Sequence, residues 1–302
     1  MAAQGLRLKS LTDVQTDTIL QMVTRNGAKI PNSGIESKYA MSPVFSHDGT
    51  HLAFNDRSAQ QQGGYWPGVL AIMDYNNATQ KFSNYQVLTV PPAGRQYSWP
   101  AFTPDNKYVV YQNGVGEDLA TWSGNTGKIF AVNTVTKQVT FLGNLNGDGY
   151  LPQGARDENK NYEPTIAPIA SGGYFWVMFT SRRTYGNKLT GSESETKRLW
   201  VSAIDINSPA GMDPSHPAFY IAGQELTSGN SRGFWALDPC KQVGDACGTG
   251  SECCNQNCDQ GVCKDPNPNE CSQDGNHCDT TADCCDPGAT CINNICSEPP
   301  PQ

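Results

Sequence analysis

No cysteine occurs in the first 239 residues of this 302-residue chain, and all twelve lie between Cys240 and Cys296. That asymmetry divides the chain into two physical regimes, a front that must be held by burial and a back held by something else. Hydrophobic residues make up only 37% of the chain, which is low for one compact core. No apolar run approaches the roughly eighteen residues of a membrane-spanning helix, so such a helix is excluded on length. The opening MAAQGLRLKSLTDVQ also lacks the apolar centre of an export signal. Helix signals are weak throughout.

A stripe of basic side chains is missing too. Residues 240–302 carry two basic side chains, Lys241 and Lys264, against ten acidic ones, so this segment alone accounts for the net charge of −8. The first 239 residues are balanced, 19 against 19. Nothing in such a distribution displaces counterions from a phosphate backbone, and nucleic acid is excluded as a partner.

What is present begins with repetition. Pro43-Val44-Phe45-Ser46-His47-Asp48-Gly49, Pro100-Ala101-Phe102-Thr103-Pro104-Asp105-Asn106 and Pro164-Thr165-Ile166-Ala167-Pro168 lie in register, each followed by an apolar run. Their prolines are spaced by 57 and 64 residues, a period that marks a repeat architecture. Asp48-Gly49 and Asp105-Asn106 tolerate positive φ between β-branched and aromatic flanks, which predicts strand, turn and strand. The third copy lacks this turn pair and is four residues longer, through Ala170-Ser171-Gly172-Gly173. Third strands are expected at residues 69–74, 128–133 and 199–205, and fourth strands at 85–89, 139–142 and 218–222. Four short hairpin-connected strands per unit make a propeller blade; a β-sandwich with coincidental similarity is the competing fold.

These residues also carry a family resemblance. Ser42 to Phe54 resembles the WD40-like PD40 blade of TolB-type β-propellers, with Thr103-Pro104-Asp105-Asn106 as a looser second copy. The stretches 171–187, 213–220 and 233–240 resemble TolB-like proteins of myxobacterial type that end in cysteine-rich tails. The resemblance covers roughly residues 40–296 and implies an exported bacterial propeller. It identifies no ligand. Three blades do not close a ring, since propellers typically have about four to eight. An open ring and a missing export signal together predict that upstream sequence is absent from this chain; an intact open sector would instead expose strand edges and self-associate.

The twelve cysteines form two similar blocks, Cys240, Cys247, Cys253, Cys254, Cys258, Cys263 and Cys271, Cys278, Cys284, Cys285, Cys291, Cys296. A small, even, repeated set in a polar sequence reads as a disulfide framework made in an oxidising compartment, extracellular, cell-surface or periplasmic. Zinc fits less well, because adjacent doublets and one local histidine, His277, depart from paired Cys-x2-Cys ligands. Spacing alone leaves fifteen pairings per block. The blocks resemble the inhibitor cystine knot, or knottin, whose order of first to fourth, second to fifth and third to sixth implies Cys240 with Cys254, Cys247 with Cys258 and Cys253 with Cys263. In the second block it implies Cys271 with Cys285, Cys278 with Cys291 and Cys284 with Cys296.

The expected organisation is therefore all-β: a partial or open β-propeller of about three four-stranded blades over 1–239, cystine-knot-like modules at 240–264 and 271–296, a linker at 265–270 and a Pro-rich tail at 297–302. Asp213, Ser215 and His216 contain the residue types of a hydrolytic triad, but a triad converges from distant segments, and this cluster reads as a turn. Gly124-Asn125-Thr126-Gly127-Lys128 lacks the first glycine and the hydroxyl of a phosphate loop, and His47 and His51 lack a third ligand. Asn77-Ala78-Thr79 is a glycosylation sequon. Asn144, Asn146 and Asp148 resemble the start of a calcium loop, but Ala155 stands where the bidentate acid belongs; calcium is the one cofactor the sequence raises. Among the tryptophans, Trp176 is expected between blades and Trp66 in an exposed Gly-flanked loop able to grip sugar or protein. The function expected is a non-catalytic exported or cell-surface protein for protein or glycan binding, adhesion or envelope assembly. The competing readings are the propeller portion of a hydrolase or peptidase, and a secreted knottin-type inhibitor or toxin.

Overall fold

The computed structural model describes residues 7–12, 18–23, 30–58, 68–116, 121, 125–151, 156–184, 196–209, 211–225, 228–236, 240–254, 257–264, 278, 280–285, 289–292 and 295–297. The chain divides into two compact units, Met1–Trp235 and Ala236–Gln302.

The first unit is built from strands. After a hairpin of β1 (Arg7–Thr12) and β2 (Thr18–Val23), three four-stranded antiparallel sheets follow in chain order. Blade 1 comprises β3 (Ala40–Phe45), β4 (His51–Asp56), β5 (Val69–Asn76) and β6 (Lys81–Thr89). Blade 2 comprises β7 (Gln96–Phe102), β8 (Tyr108–Val115), β9 (Thr126–Asn133) and β10 (Val139–Phe141). Blade 3 comprises β11 (Asn161–Ile166), β12 (Tyr174–Ser181), β13 (Arg198–Asp205) and β14 (Phe219–Tyr220). Each sheet is a simple meander, and β7, the first strand of blade 2, lies against both β3 and β11. The first strands are thus innermost, and the all-β, blade-by-blade architecture expected from the repeat is the one observed.

The repeat turns form for the reasons their residues supply. In blade 1 Ser46 Oγ donates to Asp48 Oδ1 and accepts from the His51 amide, while Gly49 takes φ 71°. Thr103, Asp105 and Asn106 reproduce this in blade 2, with Thr103 Oγ1 donating to Asp105 Oδ1 over 2.6 Å and Asn106 at φ 59°. Where blade 3 has lost the Asp-Gly pair, Gly172 and Gly173 supply φ 64° and 83° instead.

Sheet faces alternate as period two requires. Ala53, Leu70, Ile72 and Leu88 of blade 1 meet Tyr97, Phe102, Val109 and Tyr111 of blade 2 in one apolar layer. Val110, Ile129 and Ala131 of blade 2 meet Phe175, Val177, Phe179, Trp200 and Ile204 of blade 3 in the next. Ile35 packs on the other face of blade 1 with Leu52, Phe54, Met73 and Phe82. Removal of each Val, Leu, Ile, Phe or Met side chain in these layers from water contributes about 1.5–3 kcal/mol.

Among the described residues the second unit has almost no such layer. In its first module a 3-10 turn, Gly250–Glu252, precedes the cysteine doublet, and β15 (Cys258–Asp259) pairs with β16 (Val262–Cys263). The second module repeats the plan with a turn at Thr281–Asp283 and β17 (Thr290–Ile292) against β18 (Ile295–Ser297), so that Cys258 faces Cys263 and Cys291 faces Cys296. Bridges join Cys240 to Cys254, Cys247 to Cys258, Cys253 to Cys263, Cys278 to Cys291 and Cys284 to Cys296. Cys285 is disulfide-bonded as well. Cys271, the linker 265–270 and the end of the tail lie outside the described residues. The sulfurs of Cys247, Cys253 and Cys263 lie within 4.8 Å of one another, as do those of Cys278, Cys284 and Cys296, so two bridges pack side by side in each module. Cys253, Cys263, Cys278, Cys296 and Ala289 are the buried apolar residues described here, and cross-links stand where a core would be.

Candidate functional site

Each innermost strand is interrupted at the same place. The pairing register slips between Met41 and Val44, Ser98 and Ala101, and Tyr162 and Thr165. Within each slip the residue before the repeat proline is left-handed: Ser42 at φ 49°, Trp99 at 55° and Glu163 at 56°. Such a conformation costs a non-glycine residue about 1–2 kcal/mol, and a bulge re-aims the side chain it carries. Recurrence in all three blades with unrelated side chains makes the bulge a property of the blade. What differs is the group presented: a hydroxyl, an indole and a carboxylate.

Blades 2 and 3 turn these positions into a charged and aromatic cluster. Glu163 accepts from Thr180 Oγ1 at 2.8 Å and from Lys197 Nζ at 3.2 and 3.3 Å, and its amide donates to Gln112 Oε1 at 3.0 Å. Arg232, from the segment after β14, lies with its guanidinium carbon 5.0 Å from the centroid of Trp99 and 5.6 Å from that of Phe234. Burial pushes the Arg232 pKa down, and the nearby Glu163 charge opposes that shift. Trp235 ties the same segment to β11 by donating Nε1–H to the Thr165 carbonyl. The cluster holds Glu163 between Thr180 and Lys197, and Arg232 against Trp99 and Phe234.

The loop after blade 2 is used structurally. Residues Gly143–Asn146 form a one-turn helix, α1, closed by Gly147 at φ 96°. Asn146 is fully buried, accepts from the Ile129 amide at 2.9 Å and donates to the carbonyls of Ile129 and Leu142 at 2.8 and 2.7 Å. Asn144 donates its side-chain amide to the Ser215 carbonyl, and Asp148 pairs with Lys128 Nζ at 3.0 Å. The three residues that resemble a calcium loop are therefore committed to three different partners. Asp157 is bonded to Thr184 and Lys160, and Glu163 to Thr180 and Lys197.

Two clefts accompany these features. One of about 460 Å³ lies at blade 1, where Lys38 Nζ sits 3.6 Å from the centroid of Tyr85 and 3.5 Å from Asp56 Oδ2, with Arg95 and Pro91-Pro92 on its wall. Burial, then Asp56, pushes the Tyr85 phenol well up. A smaller one of about 100 Å³ lies between blades 2 and 3 on an apolar floor of Val110, Ala131, Phe175 and Ile204.

The residue types of a hydrolytic triad do not assemble. Ser215 is buried and donates to Asp213 Oδ1 at 2.6 Å, whereas His216 Nε2 faces Asp205 at 3.1 Å. His47 and His51 also part company: the His47 amide donates to Asn106 in blade 2, and His51 faces Asp74 at 3.4 Å. Trp66 lies outside the described residues. The layer between blades 2 and 3 does not include Trp176: its neighbours Phe175 and Val177 face blade 2, so alternation turns the half-buried Trp176 to the other face of blade 3. There it meets Tyr174 and Phe219 edge to face. The bulges and Arg232 carry no sequence signal apart from the recurrent proline.

No family model and no curated protein matches this chain. Among solved structures it is similar to TolB from Acinetobacter baumannii, at 16% identity and a TM-score of 0.41 over 72% of this chain and 42% of that one. A putative TolB from Agrobacterium tumefaciens aligns at 14% identity and a TM-score of 0.38 over 68% and 62%. An oligogalacturonate lyase from Vibrio parahaemolyticus aligns at 10% identity and 0.40 over 69% and 54%. This chain thus spans less than two thirds of the length of each of these structures.

Proposed function

We propose that this is an exported, non-catalytic binding protein, a TolB-like propeller sector that holds a protein or glycan and carries two knottin-like modules as a protease-resistant extension. The observation that carries the reading is the commitment of its reactive side chains: Ser215 to Asp213, Glu163 to Lys197 and Thr180, Asp157 to Lys160 and Thr184. Half-exposed aromatic and charged groups remain available for contact, as binding surfaces require. An oxidising extracellular, cell-surface or periplasmic setting is supported by the bridges of the second unit. Among the described residues no helix is long and apolar enough to cross a membrane.

The test is a turnover screen of the oxidised full chain against peptide and glycoside substrates, run beside equilibrium binding to the same compounds. Saturable binding without turnover is the expected result. Multiple turnover lost with a single side-chain substitution would replace this reading with an enzymatic one.

A further inference from the structure

The face of blade 3 turned away from blade 2 carries a ring cluster centred on Trp176. Trp176 is flanked across the sheet by Ala203 on β13, its register partner, and by Ala167, whose amide bonds the Trp176 carbonyl. Both alanines are buried and the indole between them is half-buried, while its Nε1–H donates to the Ser171 carbonyl at 3.1 Å and fixes its orientation. Tyr174 and Phe219 contact it at centroid distances of 5.9 and 6.5 Å, both edge to face, and Phe219 is 53% exposed. Beside the rings stands a polar pair: Asp205, the register partner of Tyr174, and His216, whose ring meets Tyr174 at 5.4 Å and Asp205 at 3.1 Å. Both members of that pair are just under half exposed, at 44% and 45%.

We infer that this face is a binding platform for a neutral glycan, with Trp176 as the stacking surface and Asp205 and His216 as hydrogen-bonding groups. The inference rests on the proposed binding function and names its ligand class. The aliphatic face of a pyranose matches an oriented, accessible aromatic ring, and a carboxylate with a neighbouring imidazole accepts and donates to adjacent hydroxyls. A protein partner is the weaker fit, because interface anchors sit in enclosed pockets, whereas Phe219, Asp205 and His216 beside the indole are each about half exposed. Among the described residues the charged groups that meet the rings are Asp205 and, when protonated, His216, and neither is a fixed cation that would clamp an acidic sugar.

The experiment is affinity electrophoresis of the oxidised full chain in native gels containing hydroxyethyl cellulose, galactomannan or glycogen, followed by calorimetry with cellohexaose, mannohexaose or maltohexaose to match. Retardation by at least one neutral polysaccharide is expected. Trp176→Ala should weaken it about tenfold or more, Trp176→Phe should keep part of it, and Asp205→Asn should weaken it several-fold. Since Trp176 is outside the apolar layers, its alanine variant should melt with the parent; if it does not, Asp205→Asn and Phe219→Ala carry the test. Retardation that survives all of these substitutions overturns the platform while leaving the binding function standing. Absence of retardation by every neutral polysaccharide overturns it too, whether the chain then proves to bind a purified protein or to dimerise through this face. Turnover of a glycan, by contrast, counts against the non-catalytic function and is scored separately from Trp176 dependence.

Discussion

Arg232 lies over the indole of Trp99, its guanidinium carbon 5.0 Å from the ring centroid, and so joins the segment after the last blade to the innermost strand of blade 2. The same side chain reaches Phe234 at 5.6 Å and carries an Nη2–H toward the Pro164 carbonyl at 3.5 Å. One cation thus draws together residues from β7, β11 and the segment that follows β14. Replacing it tests whether that segment is held by this contact.

Arg232→Ala should destabilise the first unit by about 1–2 kcal/mol, through lost cation–π attraction and lost packing of the aliphatic stem. For a unit of this size that is a fall in melting temperature of about 2–8 °C. Arg232→Lys should fall between, because a compact ammonium does not cover two rings as a planar guanidinium does. Differential scanning calorimetry of the oxidised chain reads both. Equal melting temperatures for all three proteins would show that the segment is held by Trp235 and its neighbours instead.

Asn146 offers a sharper case, since its amide satisfies three backbone groups in a fully buried position. Asn146→Ala should cost about 2–4 kcal/mol by removing all three of these side-chain bonds from a buried site, although the Leu142 carbonyl keeps its bond from the residue-146 amide. Asn146→Asp should cost at least as much, because a carboxylate cannot donate to the Ile129 and Leu142 carbonyls. Urea denaturation followed by tryptophan fluorescence is the measurement, and calcium should not rescue the aspartate variant. Rescue by millimolar calcium would return Asn144, Asn146 and Asp148 to the role their spacing resembles.

The parts of the fold that could be read in the sequence are those fixed by local chemistry. Ser46, Asp48 and Gly49 specify a turn through contacts within five residues, and Thr103, Asp105 and Asn106 specify the same turn again. The site was less legible, because its members depend on register. The bulge that sets Trp99 and Glu163 is a count of residues against the partner strand, which appears only when β7 and β8 or β11 and β12 are paired. Trp176 lies in the continuous apolar run YFWVMF, where period-two alternation is hidden, so nothing local tells which face it takes. Arg232 finds Trp99 only because distant parts of the chain are brought together.

The two units should respond to reductant independently. With no cysteine before Cys240, the first unit has nothing to lose, whereas each bridge of the second typically contributes about 2–4 kcal/mol. Limited proteolysis of the native chain should leave both units resistant. The same digestion after reduction and alkylation should destroy residues 236–302 and spare a product ending near Trp235. Resistance of the tail after full reduction would show that packing, rather than sulfur, holds the modules.

Acid should act through Asp157. Its carboxylate is almost fully buried, and burial on its own would raise the pKa, but hydrogen bonds from Thr184 Oγ1, Lys160 Nζ and the Thr184 amide, with the Lys160 charge, outweigh it and hold the group below its ordinary value. A depressed pKa in the folded state means that the unfolded chain takes up the proton first, so stability is complete above the unfolded value of about 4 and is lost as pH falls through the folded one. Asp157→Asn removes that proton linkage along with the pairing to Lys160. The variant should be less stable than the parent at pH 7, and the gap between their urea midpoints should close progressively from about pH 4 downward. Midpoints measured at pH 7, 5, 4 and 3 give the answer. A gap that stays constant across that range would mean that Asp157 contributes through geometry alone and that other carboxylates, such as Asp48 with its bonds from Ser46 and Thr50, carry the acid limb.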